Sequence, residues 1–185
     1  MVLRFQSVVT VLLCALCLSS CARHVVFPLA AGSPGLELTE VVFFAQADRQ
    51  CGPAALATVL HHSGLEVQPD DLTPLLFLPG RQGSLQLEMS AAARRFGRIP
   101  YPIKPEAAAI AAELAAGRPV LILQNLGMTW LPVYHYAVAV GVLPGDRVVL
   151  RSGEQRRLVM DGRRFAATWR RAGEWALVVL RPGDL

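Results

Sequence analysis

The apolar positions of this chain follow two periods, one after the other. From about residue 50 to 117 they recur at helical spacing. In "PAALATVLHHSG" (53–64) Leu56, Val59, Leu60 and Ser63 share one face, Pro53 suits a first turn and Gly64 a C-terminal stop. "SLQLEMSAAARRFG" (84–97) predicts a second helix capped by Ser84 and ended by Gly97. "PEAAAIAAELAAG" (105–117) predicts a third, opened by Pro105 and closed by Gly117. "TPLLFLPG" (73–80) reads as a loop or a short helix. Beyond 118 the pattern becomes alternating or continuously β-branched. Strands are expected at 119–126, 133–142, 147–152, 156–160 and 174–180, with turns at 143–146 and 152–155. "DGRRFAATWRR" (161–171) predicts a short helix capped by Asp161. Helices first and hairpin-linked strands second give an α+β domain, with the helices packed on a C-terminal antiparallel sheet.

The start of the chain follows neither period. Arg4 precedes "SVVTVLLCALCL", which is too short to span a bilayer, and "LSSC" follows. Leu18-Ser19-Ser20-Cys21 resembles the lipobox of bacterial lipoproteins. That resemblance implies a signal peptide over 1–20, cleavage before Cys21 and a diacyl lipid on its sulfur. Ala22 in the next position implies outer-membrane sorting, with the domain facing the periplasm. "ARHVVFPLAAGSPGLELTE" mixes Pro, Gly and small residues, so 21–39 is expected to be a tether and 40–185 the domain. "VVFFAQ" (41–46) reads as a short apolar strand or extended segment.

Composition narrows the chemistry. The formal net charge is +4, and loss of residues 1–20 removes one Arg and no acid. This mild excess is not a nucleic-acid profile. Eight Arg lie between Arg147 and Arg171, but in scattered pairs, as on a solvated face. No phosphate-loop motif is present, and no cofactor or metal is expected: His61 and His62 are adjacent, so on a helix they diverge by about 100°.

Cysteine usage is the most informative count. Cys14 and Cys17 leave with the signal peptide and Cys21 is capped, so Cys51 is the one free thiol of the mature chain. It stands at the start of the first helix, where unpaired amides and the helix dipole are expected to draw a thiol toward thiolate. Gly52 is expected to let the backbone approach a substrate carbonyl. A thiolate nucleophile needs an acid/base. His135 lies within "VYHYAVAVGV", an otherwise apolar strand, with Ala137 and Ala139 on its own face. An acyl-transfer site also needs an oxyanion donor, and Gln46 can supply a side-chain N–H beside the backbone N–H of Cys51. Gln50 is nearer, but adjacency points it away.

Together "QADRQCGPAALA" and "HYAVAVG" resemble the papain-like cysteine peptidases that process bacteriocin leaders, and more closely their stand-alone relatives in bacterial lipoproteins. The likeness runs over about residues 40–180. It implies a papain-like fold, a peptide or protein substrate, Cys51 as nucleophile, His135 as general acid/base and Gln46 as oxyanion donor. Two features depart from that pattern. The step from Gln46 to Cys51 is five residues where six is usual. The next strand offers Arg151 and Ser152 where an Asp or Asn is expected. Ser152 is then the candidate to orient His135, with Asn125 another; Asp146 is expected to face solvent from its turn. Two other readings are a papain-like pseudoenzyme that binds peptides in an envelope assembly, and an NlpC-type cell-wall amidase. Those amidases show Asp-Cys-Ser at the nucleophile, unlike "QCGPAA".

Overall fold

The coordinates, a computed structural model, describe residues 27–29, 32–45, 50–81 and 83–184. In chain order the elements are β1 (Leu36–Glu37), α1 (Cys51–His62), α2 (Pro69–Leu76), α3 (Gln86–Arg95), β2 (Ile99–Pro102), α4 (Ala107–Ala115), β3 (Val120–Asn125), β4 (Tyr134–Leu143), β5 (Arg147–Ser152), β6 (Gln155–Asp161), α5 (Gly162–Arg170) and β7 (Ala176–Leu180). The strands form one antiparallel sheet of order β2-β7-β3-β4-β5-β6, and β1 joins β4. The fold is α+β, helices before the main sheet, as the change of period predicts.

Apolar burial explains the layering. α1 buries Leu56, Val59 and Leu60 completely or nearly so, and β3 and β4 bury almost every side chain. Strands covered on both faces lose the inside–outside alternation and read as continuous apolar runs. Asp161 caps α5, its carboxylate accepting from the amides of Arg163 and Arg164. α2 is a true helix, started by a capping box between Gln68 and Asp71. β2 was not visible in the pattern because it reads "IPYP". Its prolines are tolerated because it is the outer strand, bonded only to β7.

The N-terminal segment departs most from expectation. The described residues from 27 to 39 are packed on the domain rather than strung out as a tether. Phe27 is 3 % exposed, its ring 5.5 Å from that of Phe165, and its amide donates to Asp146 Oδ1 at 3.1 Å. Leu38 and Val41 are buried, and Glu37 pairs with Arg157. The short strand therefore lies at 36–37, not at 41–46; residues 41–45 carry no ladder bonds and 46 is outside the described set. Asp146 is half-buried rather than turned to solvent. Its carboxylate also lies where a Cβ on Gly162 would fall, so a larger residue at the start of α5 would have to displace it.

Candidate active site

Cys51 is the first residue of α1. Gln50 precedes it without a side-chain cap, so the first-turn amides are not taken by a capping group. The amides of Cys51 and Gly52 are directed at the sulfur, and a third comes from Tyr136. The sheet explains this third donor. Leu123 turns its N–H to Trp175 O, 3.3 Å away, so the Leu123–Tyr136 pair is not a hydrogen-bonded pair of the β3–β4 ladder. The Tyr136 amide therefore faces the other edge of β4. β5 runs alongside that edge only as far as Val138, and the thiol sits beyond the end of that ladder.

His135 precedes Tyr136, so the strand that gives the thiol an amide also carries the imidazole. Its Nε2 lies 2.9 Å from Ser152 Oγ. The register accounts for the pairing: Val138 opposes Arg151, which places Ser152 beside Ala137 and diagonal to His135 on one face. The methyl of Ala137 leaves room for the contact. With Nε2 on Ser152, Nδ1 is the ring nitrogen available to a reacting group. Ser152 thus stands on His135, and Cys51 on the amide of the residue next to it. Gln46 belongs to 46–49, outside the described residues, as do Cys21 and the signal segment.

The charge state differs from the expectation for a helix-start thiol. Burial pushes the Cys51 pKa up by more than the three amides, led by that of Tyr136, pull it down. Burial likewise holds His135 below its ordinary range. No carboxylate among the described residues opposes this at His135, so burial favours the uncharged form of each group. Tyr136 is raised too, by burial first and then by the neighbouring Cys51 and Glu88. Its hydroxyl lies 3.4 Å from Ser84 O and its ring meets Trp175 edge-on.

Gly52 also has a packing reason to be glycine. A Cβ there would overlap Ser84 Oγ, so the glycine lets the segment before α3 lie against the start of α1. Asn125 does not orient His135. Its Oδ1 accepts from Gly127 N at 3.0 Å and Val133 N at 2.9 Å, closing the β3–β4 loop. That loop shows Leu126, Met128, Trp130, Leu131, Val133 and Tyr134 to solvent, with Trp130 76 % exposed. It leads directly into His135 and forms an apolar shoulder to the site. The alternating pattern could not reveal it, because these side chains belong to a loop rather than to a strand face.

No protein-family model matches the chain, and no curated protein sequence does. Solved structures do match. One is a putative C39-like peptidase from Bacillus anthracis, with TM-score 0.66 and 16% identity over 80% of this chain and 98% of that one. The peptidase domain of Streptococcus ComA, a bifunctional ABC transporter involved in quorum sensing, gives 0.57 and 22% over 77% of this chain and 99% of that one. A double-glycine-motif protease from an AMS/PCAT transporter, solved with a leader peptide, gives 0.57 and 19% over 76% and 91%. The chain has the fold of the C39-like peptidase domains, a papain-like arrangement of helices and antiparallel sheet.

Proposed function

We propose that this protein is a lipid-anchored cysteine peptidase that hydrolyses peptide bonds in an envelope or exported polypeptide. The observation that carries the reading is a helix-start thiol, Cys51, that takes the amide of Tyr136 on β4, while the preceding residue, His135, is held by Ser152. In the first step His135 Nδ1 takes the thiol proton as the sulfur attacks the scissile carbonyl. Nε2–H meanwhile donates to Ser152 Oγ. The oxyanion is received by the Cys51 amide, with Gln46 as the second donor expected from the sequence. Collapse expels the amine, which takes its proton from His135, and leaves an acyl-thioester. Water, deprotonated by the same nitrogen, then releases the acid and restores the thiol.

The bacterial lipobox at Leu18–Cys21 supports an anchor in the envelope, and Ala22 supports the outer membrane, facing the periplasm. Phe27 stands six positions after Cys21 and is docked by the β4–β5 turn. On this reading the lipid holds that end, and the site lies at the other end of β4. The neighbour solved with a leader peptide supports a peptide substrate.

A peptide carrying a thiol-reactive electrophile tests the proposal. Labelling of Cys51 that is lost in Cys51→Ala, together with peptide hydrolysis lost in the same variant, is the expected result. Hydrolysis undiminished in Cys51→Ala would end the reading. The raised thiol and the uncharged Ser152 also favour one rival, a peptide-binding pseudoenzyme. That rival predicts peptide binding without any labelling.

A further inference from the structure

Arg151, next to Ser152, is the buried charged side chain among the described residues, at 4 % exposure. It meets no carboxylate at ion-pair distance among those residues. Its guanidinium donates only to backbone carbonyls: Nε and one terminal nitrogen to Val41 O at 3.3 and 3.2 Å, the same nitrogen to Thr39 O at 3.4 Å, and the other to Arg156 O at 2.6 Å. A guanidinium carries five donors in a fixed fork, so this one side chain serves three carbonyls on two segments.

Those carbonyls are not arbitrary. Leu150 pairs with Leu158, but Ser152 pairs with Gln155, so β6 holds one residue more than β5 across this step. Such a bulge leaves a ladder group unpaired and re-aims the neighbouring side chains. Arg156 O lies inside the bulge, and Arg151 takes it. The two other carbonyls belong to the strap that leads from β1 toward Cys51. One side chain therefore ties the 39–41 strap, the bulge and the residue that holds His135.

We propose that Arg151 is a positioning residue for the Cys51–His135 pair: its guanidinium closes the bulge beside Ser152, locks the 39–41 strap to the same strand, and so keeps the Ser152 hydroxyl on His135. The proposal rests on the reading of Cys51 and His135 as the reacting pair, and it goes beyond that reading by adding a residue that touches neither of them. A merely structural arginine would alter melting and nothing else.

The test is a mutant cycle in the full chain, with Arg151→Met, Arg151→Lys, Ser152→Ala and the corresponding doubles. Two readouts are taken on each folded variant: the rate of Cys51 alkylation by iodoacetamide at pH 7, and the titration of the His135 ring by NMR. Arg151→Met is expected to slow alkylation about five-fold or more and to move the His135 titration, and Ser152→Ala added to it is expected to change neither further. Arg151→Lys, which can reach one carbonyl but not the fork, is expected to recover part of the rate. Losses that multiply in the double variant would overturn the proposal. So would a folded Arg151→Met chain with wild-type alkylation and His135 titration. If Arg151→Met does not fold, the cycle of Arg151→Lys with Ser152→Ala carries the same decision. Failure of the peptidase reading would look different: the native chain would ignore a peptide electrophile while the cycle still showed coupling.

Discussion

Ser152 offers His135 an oxygen without a charge, and this governs how the thiol is activated. A carboxylate on Nε2 would favour imidazolium and so draw the neighbouring sulfur toward thiolate. Here burial raises Cys51 and lowers His135, and no charged group among the described residues opposes it at the ring. Alkylation of Cys51 by iodoacetamide is therefore expected to climb steadily from pH 6 to alkaline pH, without the acid-side plateau of a thiolate–imidazolium pair. Ser152→Asp should create that plateau and raise the rate at pH 7 about ten-fold, since a facing carboxylate shifts a pKa by about a unit or more. A rate profile unchanged in Ser152→Asp would show that Ser152 does not hold the ring. The same shifts set stability. His135 is lowered on folding, so its contribution is complete above about pH 6.5 and is lost as pH falls through the depressed value, where the unfolded chain binds the extra proton. Cys51 is raised, so its contribution is complete below about pH 9 and is lost as pH climbs toward the raised value. Urea midpoints should be highest between those limits and fall on both sides.

Two element junctions shape the site. The β3–β4 loop holds its apolar side chains outward because Asn125 closes it from inside, and Arg171 donates to Asn125 O at 3.0 Å from the end of α5. Replacing Asn125 by Ala leaves two amides without their acceptor and should cost about 1–3 kcal/mol. Faster hydrogen exchange at Gly127 and Val133 than in the native chain would confirm that the loop has opened. At the other junction α1 begins against Ser84. Gly52→Ala must push the 83–85 segment away, and should destabilise by about 1–3 kcal/mol on a urea curve. An unchanged midpoint would mean that Ser84 gives way freely. Both junctions were half visible in the chain. Gly52 and Asn125 were marked as special positions, but the reason for each lay in a partner far along the sequence.

On the scale of the whole molecule, the N-terminal strap is part of the fold. Phe27 continues an aromatic stack that runs through Phe165 to Trp169, whose rings lie 5.6 Å apart. Phe27→Ala should cost about 3 kcal/mol in unfolding free energy, the usual penalty for emptying a buried phenylalanine site. A loss under about 0.5 kcal/mol would return this residue to the status of a tether. The strap reads as a linker because Pro, Gly and small residues signal one wherever they occur, and its two buried anchors before residue 40, Phe27 and Leu38, are too far apart to make a period. β2 was missed for a related reason, since two prolines exclude a central strand but not an outer one.

The sequence by itself determined what depends on near neighbours. The helix that starts at Cys51, the strand that carries His135, the hairpin turns and the Asp161 cap all follow from spacing, propensity and local hydrogen bonding. Tertiary structure decided what depends on summed burial and on register. The diagonal that sets Ser152 on His135, the carbonyls gathered by Arg151 and the burial that raises the thiol each combine residues far apart in the chain. Desolvation is the clearest case: the amides at the helix start act on Cys51 locally, but the apolar surroundings that outweigh them come from the rest of the chain.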